Sequence, residues 1–176
     1  MKRRHESTPL SQHAGVSPVS LEWRLHAFDQ FELAQLYAVL AARVAVFVVE
    51  QDCPYQDLDG LDKAGMHLVA WQGAAGVAAY ARILPPGARF ERPSIGRVLT
   101  HAGVRRTGLG YELMRRAVVE THRLFPDQAI RLSAQCYLER FYQALGFSIV
   151  SRPYEEDGIP HVEMELPASG AGSSSN

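Results

Sequence analysis

The stretch Arg105-Arg106-Thr107-Gly108-Leu109-Gly110 lies between a strand-like run, Ile95–Thr100, and a helix-like run, Tyr111–His122. Glycines at this spacing let a backbone turn come close to a ligand, and the helix that follows offers unpaired N–H groups and the positive end of its dipole to an anion. A pyrophosphate is the natural ligand of such a site. Plain helix entry uses similar turns, so the rest of the chain has to decide what this one serves.

The chain has 176 residues, 47% of them hydrophobic, which suits one domain with its own core and one substrate cleft. A formal net charge of −1, with Lys/Arg and Asp/Glu interspersed, leaves no broad basic face and argues against nucleic acid as the main partner. Cys53 and Cys136 are far apart in unlike contexts and form neither a disulfide framework nor a zinc pattern, so no metal is expected. Both read as small buried residues rather than nucleophiles. No apolar run is read as reaching the roughly 18 residues of a membrane span, and the expectation is a soluble, cytoplasmic protein.

Residues 1–19 are rich in Ser, Pro, His and charge without apolar period, and are expected to be a disordered arm; 167–176 read as a disordered tail. The folded domain should span 20–166. Leu21, Trp23 and Leu25 alternate as in a strand, and Asp29 can cap a helix in which Leu33, Leu36, Tyr37, Leu40, Val44 and Phe47 keep a 3.6-residue beat. After an acidic, turn-rich segment (50–65), runs at 67–71 and 76–84 predict a hairpin through Gln72-Gly73. Then come the strand 95–100, the glycine turn and its helix, a strand over 129–134, and a short helix over 138–145 capped at Gly146. Strands near 147–152 and 161–166 follow. The order β-α-β-β-β-α-β-α-β-β is a mixed α/β arrangement, not the regular alternation of a dinucleotide-binding domain.

The chain resembles the GNAT N-acetyltransferase superfamily, in particular its ElaA-like group. An R/Q-x-x-G-x-G/A turn matches Arg105, Gly108 and Gly110, and an aromatic pair on a helix ending in Gly-Phe matches Phe141-Tyr142 and Gly146-Phe147. The segments VFVVEQDCPYQDLDG (46–60), AYARIL (79–84), IGRV (95–98) and YEEDGIPHVEM (154–164) extend the likeness over nearly all of the folded region. The resemblance implies a central, mostly antiparallel twisted sheet splayed between strands 4 and 5 and flanked by helices. It also implies acetyl-CoA as cosubstrate and direct transfer of the acetyl group to a primary amine, small or peptidyl, with a homodimer conceivable. The pyrophosphate would lie against residues 105–111 (Arg105, Arg106, Thr107, Gly108, Leu109, Gly110, Tyr111), with Phe141 beside it and the pantetheine arm along Val98, Leu99 and Thr100. The superfamily usually has glycine where Arg106 stands.

Transfer to an amine needs two proton movements. An alkylamine of pKa near 10.4 is neutral in only about one molecule in 2,500 at pH 7, a penalty of roughly 4.6 kcal/mol for a base to relieve. Glu50 is the first candidate, with His67 and His161 behind it; Arg43, Arg82 and Arg97 are possible ion-pair partners for Glu50. By superfamily analogy Tyr142 protonates the departing sulfur, and Leu99 or Thr100 N–H polarises the thioester carbonyl. Asp52, Asp57, Asp59 and Asp62 suit a solvated loop better than a trap for cationic amines. Two other readings compete: a non-catalytic acyl-CoA sensor, and, from Arg43, Phe47, Asp59, Asp62 and Arg82, a likeness to acyl-homoserine-lactone synthases, which the complete CoA turn opposes.

Overall fold

The computed structural model describes residues 20–74 and 76–168. The arm expected over 1–19 and most of the expected tail, 169–176, lie outside the described residues. Strands β1 (Leu21–Ala27), β2 (Met66–Gln72), β3 (Gly76–Leu84), β4 (Ser94–Thr100), β5 (Ile130–Gln135), β6 (Ser148–Ile149), β7 (Tyr154–Glu156) and β8 (Ile159–Leu166) form one sheet. Its order is β1-β2-β3-β4-β5-β8-β6, with β7 also paired to β8. Every pairing is antiparallel except β4 with β5. That pair touches at a single register position, Ser94 with Arg131, and the strands part beyond it. The mixed fold and the splay expected between strands 4 and 5 are both present.

Helices cover both faces, which is why β2 and β3 read as almost unbroken apolar runs. On one face α2 (Leu109–Leu124) and α3 (Glu139–Gln143) bury Leu113, Met114, Ala117, Tyr142 and Phe147 against Leu68, Ala81, Ile83, Ile95, Leu132 and Met164. On the other, α1 (Leu33–Arg43) sets Val39 and Phe47 on Val69, Trp71, Tyr80 and Leu99. Each such aliphatic or aromatic side chain contributes about 1.5–3 kcal/mol on full burial.

Four sequence expectations need correction. First, Asp29 does not cap α1: it lies in a separate 3-10 turn, Phe28–Gln30. The helix starts after Glu32, whose N–H donates to Gln35 Oε1 at 3.3 Å. Second, Leu33, Tyr37 and Val44 point outward, because both faces of α1 are apolar and the buried one runs through Val39, Arg43 and Phe47. Third, α1 continues as a π-helical stretch, Val44–Glu50, with Gln51 N–H donating to Val46 O and Cys53 N–H to Val48 O. Leu33–Glu50 as a whole is long and apolar enough to cross a membrane by length and composition, contrary to the sequence reading. Near its middle, however, lies the fully buried Arg43, ion-paired into the domain. Fourth, β7 is an additional strand. Asp157 and Gly158, at φ +51° and +78°, form a two-residue hairpin turn between β7 and β8.

Candidate active site

The diverging strands β4 and β5 enclose a cavity of about 500 Å³. Val98, Leu99 and Thr100 line it on one side and Ser133, Gln135 and His161 on the other, with Tyr142 and Leu138 among its lining and Glu50, Arg105 and Glu156 at its margins. The edge of β4 is shaped by a bulge. Pairing with β3 shifts register between Tyr80 and Arg82, and Arg97 takes a left-handed φ of +51°. Such a conformation costs about 1–3 kcal/mol unless its surroundings impose it. Here Arg97 Nε donates to Asp57 Oδ1 at 2.6 Å, and its NH2 donates to the Asp57 carbonyl at 3.1 Å.

The glycine turn joins β4 to α2. Gly108, at φ +87°, is the N-terminal cap of α2, and Arg106 also adopts a left-handed φ of +64°. The arginine therefore keeps the backbone that a glycine would take there, and the turn survives the departure from the superfamily pattern. Thr107 Oγ1 ties the turn to Val104 O at 2.8 Å. The backbone N–H groups of 106–110 find no acceptor among the described residues, so their donors and the dipole of a sixteen-residue helix are directed at whatever lies before them. A pyrophosphate fits that donor set. Arg105 does not project freely: its Nε donates to Thr100 O at 3.1 Å and its NH2 to Glu50 Oε2 at 2.6 Å.

Tyr142 is placed by the end of α3. Gly146, at φ +92°, donates its N–H to Gln143 O, and Phe147 N–H donates to Tyr142 O. These two bonds make a Schellman cap, in which the residue after the glycine packs on the one five before it. The Phe147 and Tyr142 rings accordingly meet edge-on, 6.0 Å between centroids, and Phe141 reaches Tyr111 of α2 at 4.7 Å. Tyr142 is 6% exposed, yet its hydroxyl is not sealed off and makes no hydrogen bond among the described residues. Burial, with Tyr137 nearby, pushes the phenol well above its usual range, so it holds its proton at any working pH.

Asp52 is exposed, as in a solvated loop, but Asp57, Asp59 and Asp62 are bound into the domain. Arg43 binds Asp57 Oδ2 at 2.9 Å and Asp62 Oδ1 at 2.6 Å, while Arg82 binds Asp62 at 2.8 Å and both oxygens of Asp59. Asp57, Asp62, Arg43 and Arg82 are all buried. Burial alone would raise the Asp62 carboxyl, but the two guanidinium groups outweigh it and hold it below the usual carboxylate range. The three arginines offered as partners for Glu50 are thus committed elsewhere, and Glu50 pairs with Arg105 instead.

The two candidate histidines differ. His67 is sealed in: its Nε2 is 3.0 Å from Asp62 O and its Nδ1 2.7 Å from the Tyr80 hydroxyl. A carbonyl can only accept, so Nε2 carries the proton and Nδ1 accepts from Tyr80. Burial pushes this imidazole down, and no lone pair is left for a substrate. His161 lines the cavity, with Nδ1 2.7 Å from Ile159 O.

A polar cluster beside His161 escaped the sequence reading. The Ser133 hydroxyl is 2.6 Å from the Tyr154 hydroxyl and 3.0 Å from Glu156 Oε2, and Arg89 NH2 donates to Glu156 Oε1 at 2.7 Å. Burial would raise Glu156, yet the Arg89 hydrogen bond and charge keep it below its usual range. Three residues are too short a strand to show a period; the legible signal was the Asp157-Gly158 pair, a hairpin dipeptide. Cys53 is buried, donating to Asp157 O at 3.5 Å, whereas Cys136 is only half-buried. Among the described residues no cluster of His, Cys, Asp and Glu has metal-binding geometry.

Comparison with known proteins places these features in a wider set. Residues 34–168 match the acetyltransferase (GNAT) domain family. Protein ElaA of Escherichia coli (strain K12) is 42% identical over 146 residues, covering 82% of this chain and 95% of its own. Among solved structures, an acyl-CoA N-acyltransferase from Pseudomonas aeruginosa superposes with a TM-score of 0.79 at 42% identity, covering 84% of this chain and 99% of the other. The crystal structure of Escherichia coli ElaA gives 0.78 at 40% identity, with the same coverage.

Proposed function

The chain belongs to the GNAT acetyltransferase family and is an acyltransferase, and from that premise we propose that it moves an acetyl group from acetyl-CoA directly to a primary amine. Acetyl-CoA would supply the activated carbonyl carbon. The observation that carries this reading is one arrangement: the turn with unpaired amides at 106–110 is entered through Arg105, which lines the same cavity as the splayed edge of β4 and Tyr142.

Each part of the arrangement has a task. The N–H groups of Arg106 to Gly110 would share the pyrophosphate charge, and the Arg105–Glu50 pair would form the rim beside it. Of the two residues expected to polarise the carbonyl, Thr100 has the better direction. His101 N–H donates across to Ala78 O at 2.8 Å, and successive N–H groups of a strand alternate in direction. Leu99 N–H therefore turns to β3 and Thr100 N–H to the splay, where Arg105 already takes the Thr100 carbonyl. Tyr142 would give its proton to the departing sulfur. Its raised pKa makes that transfer less favourable in isolation, but a thiolate in the same dry site is raised too.

A coupled assay of acetyl-CoA consumption across grouped acceptors (polyamines, amino acids, aminoglycosides, peptide N-termini and lysine peptides) tests the proposal. One group should raise consumption well above background hydrolysis and yield an acetylated product of matching mass. Thermal stabilisation by acetyl-CoA with no acetylated product from any group would instead mark a sensor.

A further inference from the structure

We propose that His161 is the general base of the transfer, receiving the acceptor's proton on Nε2, with the Glu156 carboxylate steadying the imidazolium that forms. This rests on the amine-acetylation reading and adds the group that reading leaves open.

The tautomer is fixed by the backbone. Ile159 O can only accept, so the Nδ1 atom 2.7 Å away carries the hydrogen and Nε2 carries the lone pair. Nε2 has no partner among the described residues and is not sealed from the cavity that His161 lines. The other two candidates are already engaged, His67 on both ring nitrogens by Asp62 and Tyr80, and Glu50 on one carboxylate oxygen by Arg105 at 2.6 Å on the rim.

Register places His161 level with the chemistry. From the Ser94–Arg131 pair, four residues along β5 reach Gln135, the partner of His161 on β8. Four residues along β4, plus the bulged one, reach Leu99, next to the Thr100 amide. The base would thus face the thioester across the open splay. Groups of several elements surround the ring: Tyr154 and Glu156 of β7, Asp157 of the hairpin turn, Ser133 and Gln135 of β5, and Arg89 from the loop before β4. Tyr154 stacks on the imidazole at 6.1 Å, which restrains its plane. Arg89 neutralises Glu156 in part, leaving its second oxygen on Ser133.

The protons balance. His161 Nε2 takes one proton from R–NH3+, and the freed electron pair forms the C–N bond. The C–S pair then leaves with sulfur, which takes the Tyr142 proton. The second proton of the nitrogen restores Tyr142 through solvent, and the imidazolium releases its own to solvent, one net proton per turnover.

The test uses the full chain with acetyl-CoA and three acceptors, spermidine, an α-amino amide and a lysine peptide. His161→Ala and His161→Gln should lower kcat by about 10²–10⁴-fold. Acetyl-CoA affinity measured by calorimetry should stay within about twofold of native, which also reports a folded variant. Added imidazole should restore turnover to His161→Ala and leave His161→Gln, whose side chain fills the space, unaffected. Turnover by His161→Ala within about threefold of native, or a loss that imidazole does not reverse while acetyl-CoA still binds, overturns the assignment. A native protein that binds acetyl-CoA and acetylates none of the three, nor any group of the wider acceptor panel, overturns the transfer reading and this inference together.

Discussion

In the proposed transfer, the chemistry assigned to Tyr142 would depend on a neighbour that does none. Gly146 permits the left-handed turn, the turn brings Phe147 back onto Tyr142, and Tyr142 is thereby held among the residues that line the cleft. Removing only the oxygen leaves that packing intact. Tyr142→Phe should therefore lower kcat by at least about tenfold with acetyl-CoA affinity unchanged, as steady-state kinetics and calorimetry would show; an unchanged kcat removes Tyr142 from the acid role. This residue was legible because a helix-ending Gly-Phe leaves a local trace. Arg106 was legible only in part. Its departure from glycine is visible in the sequence, but its left-handed φ follows from the turn on either side of it.

At the scale of elements, the loop between α1 and β2 is tied down by charge rather than by apolar contact. Asp57, Asp59 and Asp62 bind arginines of α1, β3 and β4, and Asp57 also holds the strained Arg97 at the bulge. Breaking a buried pair by deleting one partner costs about 3–5 kcal/mol, since the remaining charges stay desolvated. Asp62→Ala should lose about that much in urea unfolding at pH 7. The Asp62 carboxyl sits below its unfolded value near 3.9, so its contribution is complete above that pH and is lost as pH falls through the lowered folded value. The difference between native and variant should accordingly shrink below about pH 4; a constant difference would show that the effect is packing alone. The sequence presented these aspartates as a charged, turn-rich run, which is the usual appearance of a solvated loop. Their arginines lie on other elements, and pairing at such separations has no local signature. The same limit applies to α1, whose two apolar faces made its buried side ambiguous until Arg43 was seen to mark it.

For the whole molecule, the proposed function depends on a sheet that fails to close. β4 and β5 meet only at Ser94 and Arg131, and the gap beyond is lined by Arg105, where the glycine turn begins, and by residues of the β7–β8 hairpin. The order of elements and the glycine turn were readable, since both are written in period and punctuation. The hairpin cluster of Ser133, Tyr154, Glu156 and Arg89 was not, because it is assembled from four separate stretches. The central claim is that the turn at 105–110 holds the CoA pyrophosphate. A methyl group at Gly110 would meet Phe141 and Thr100 only at ordinary contact distances of 3.8–3.9 Å, whereas a carboxylate there would oppose the phosphates. Calorimetric titration of acetyl-CoA into native, Gly110→Ala and Gly110→Asp proteins should give similar affinities for the first two and no measurable binding for the third. Native affinity in Gly110→Asp would contradict the account.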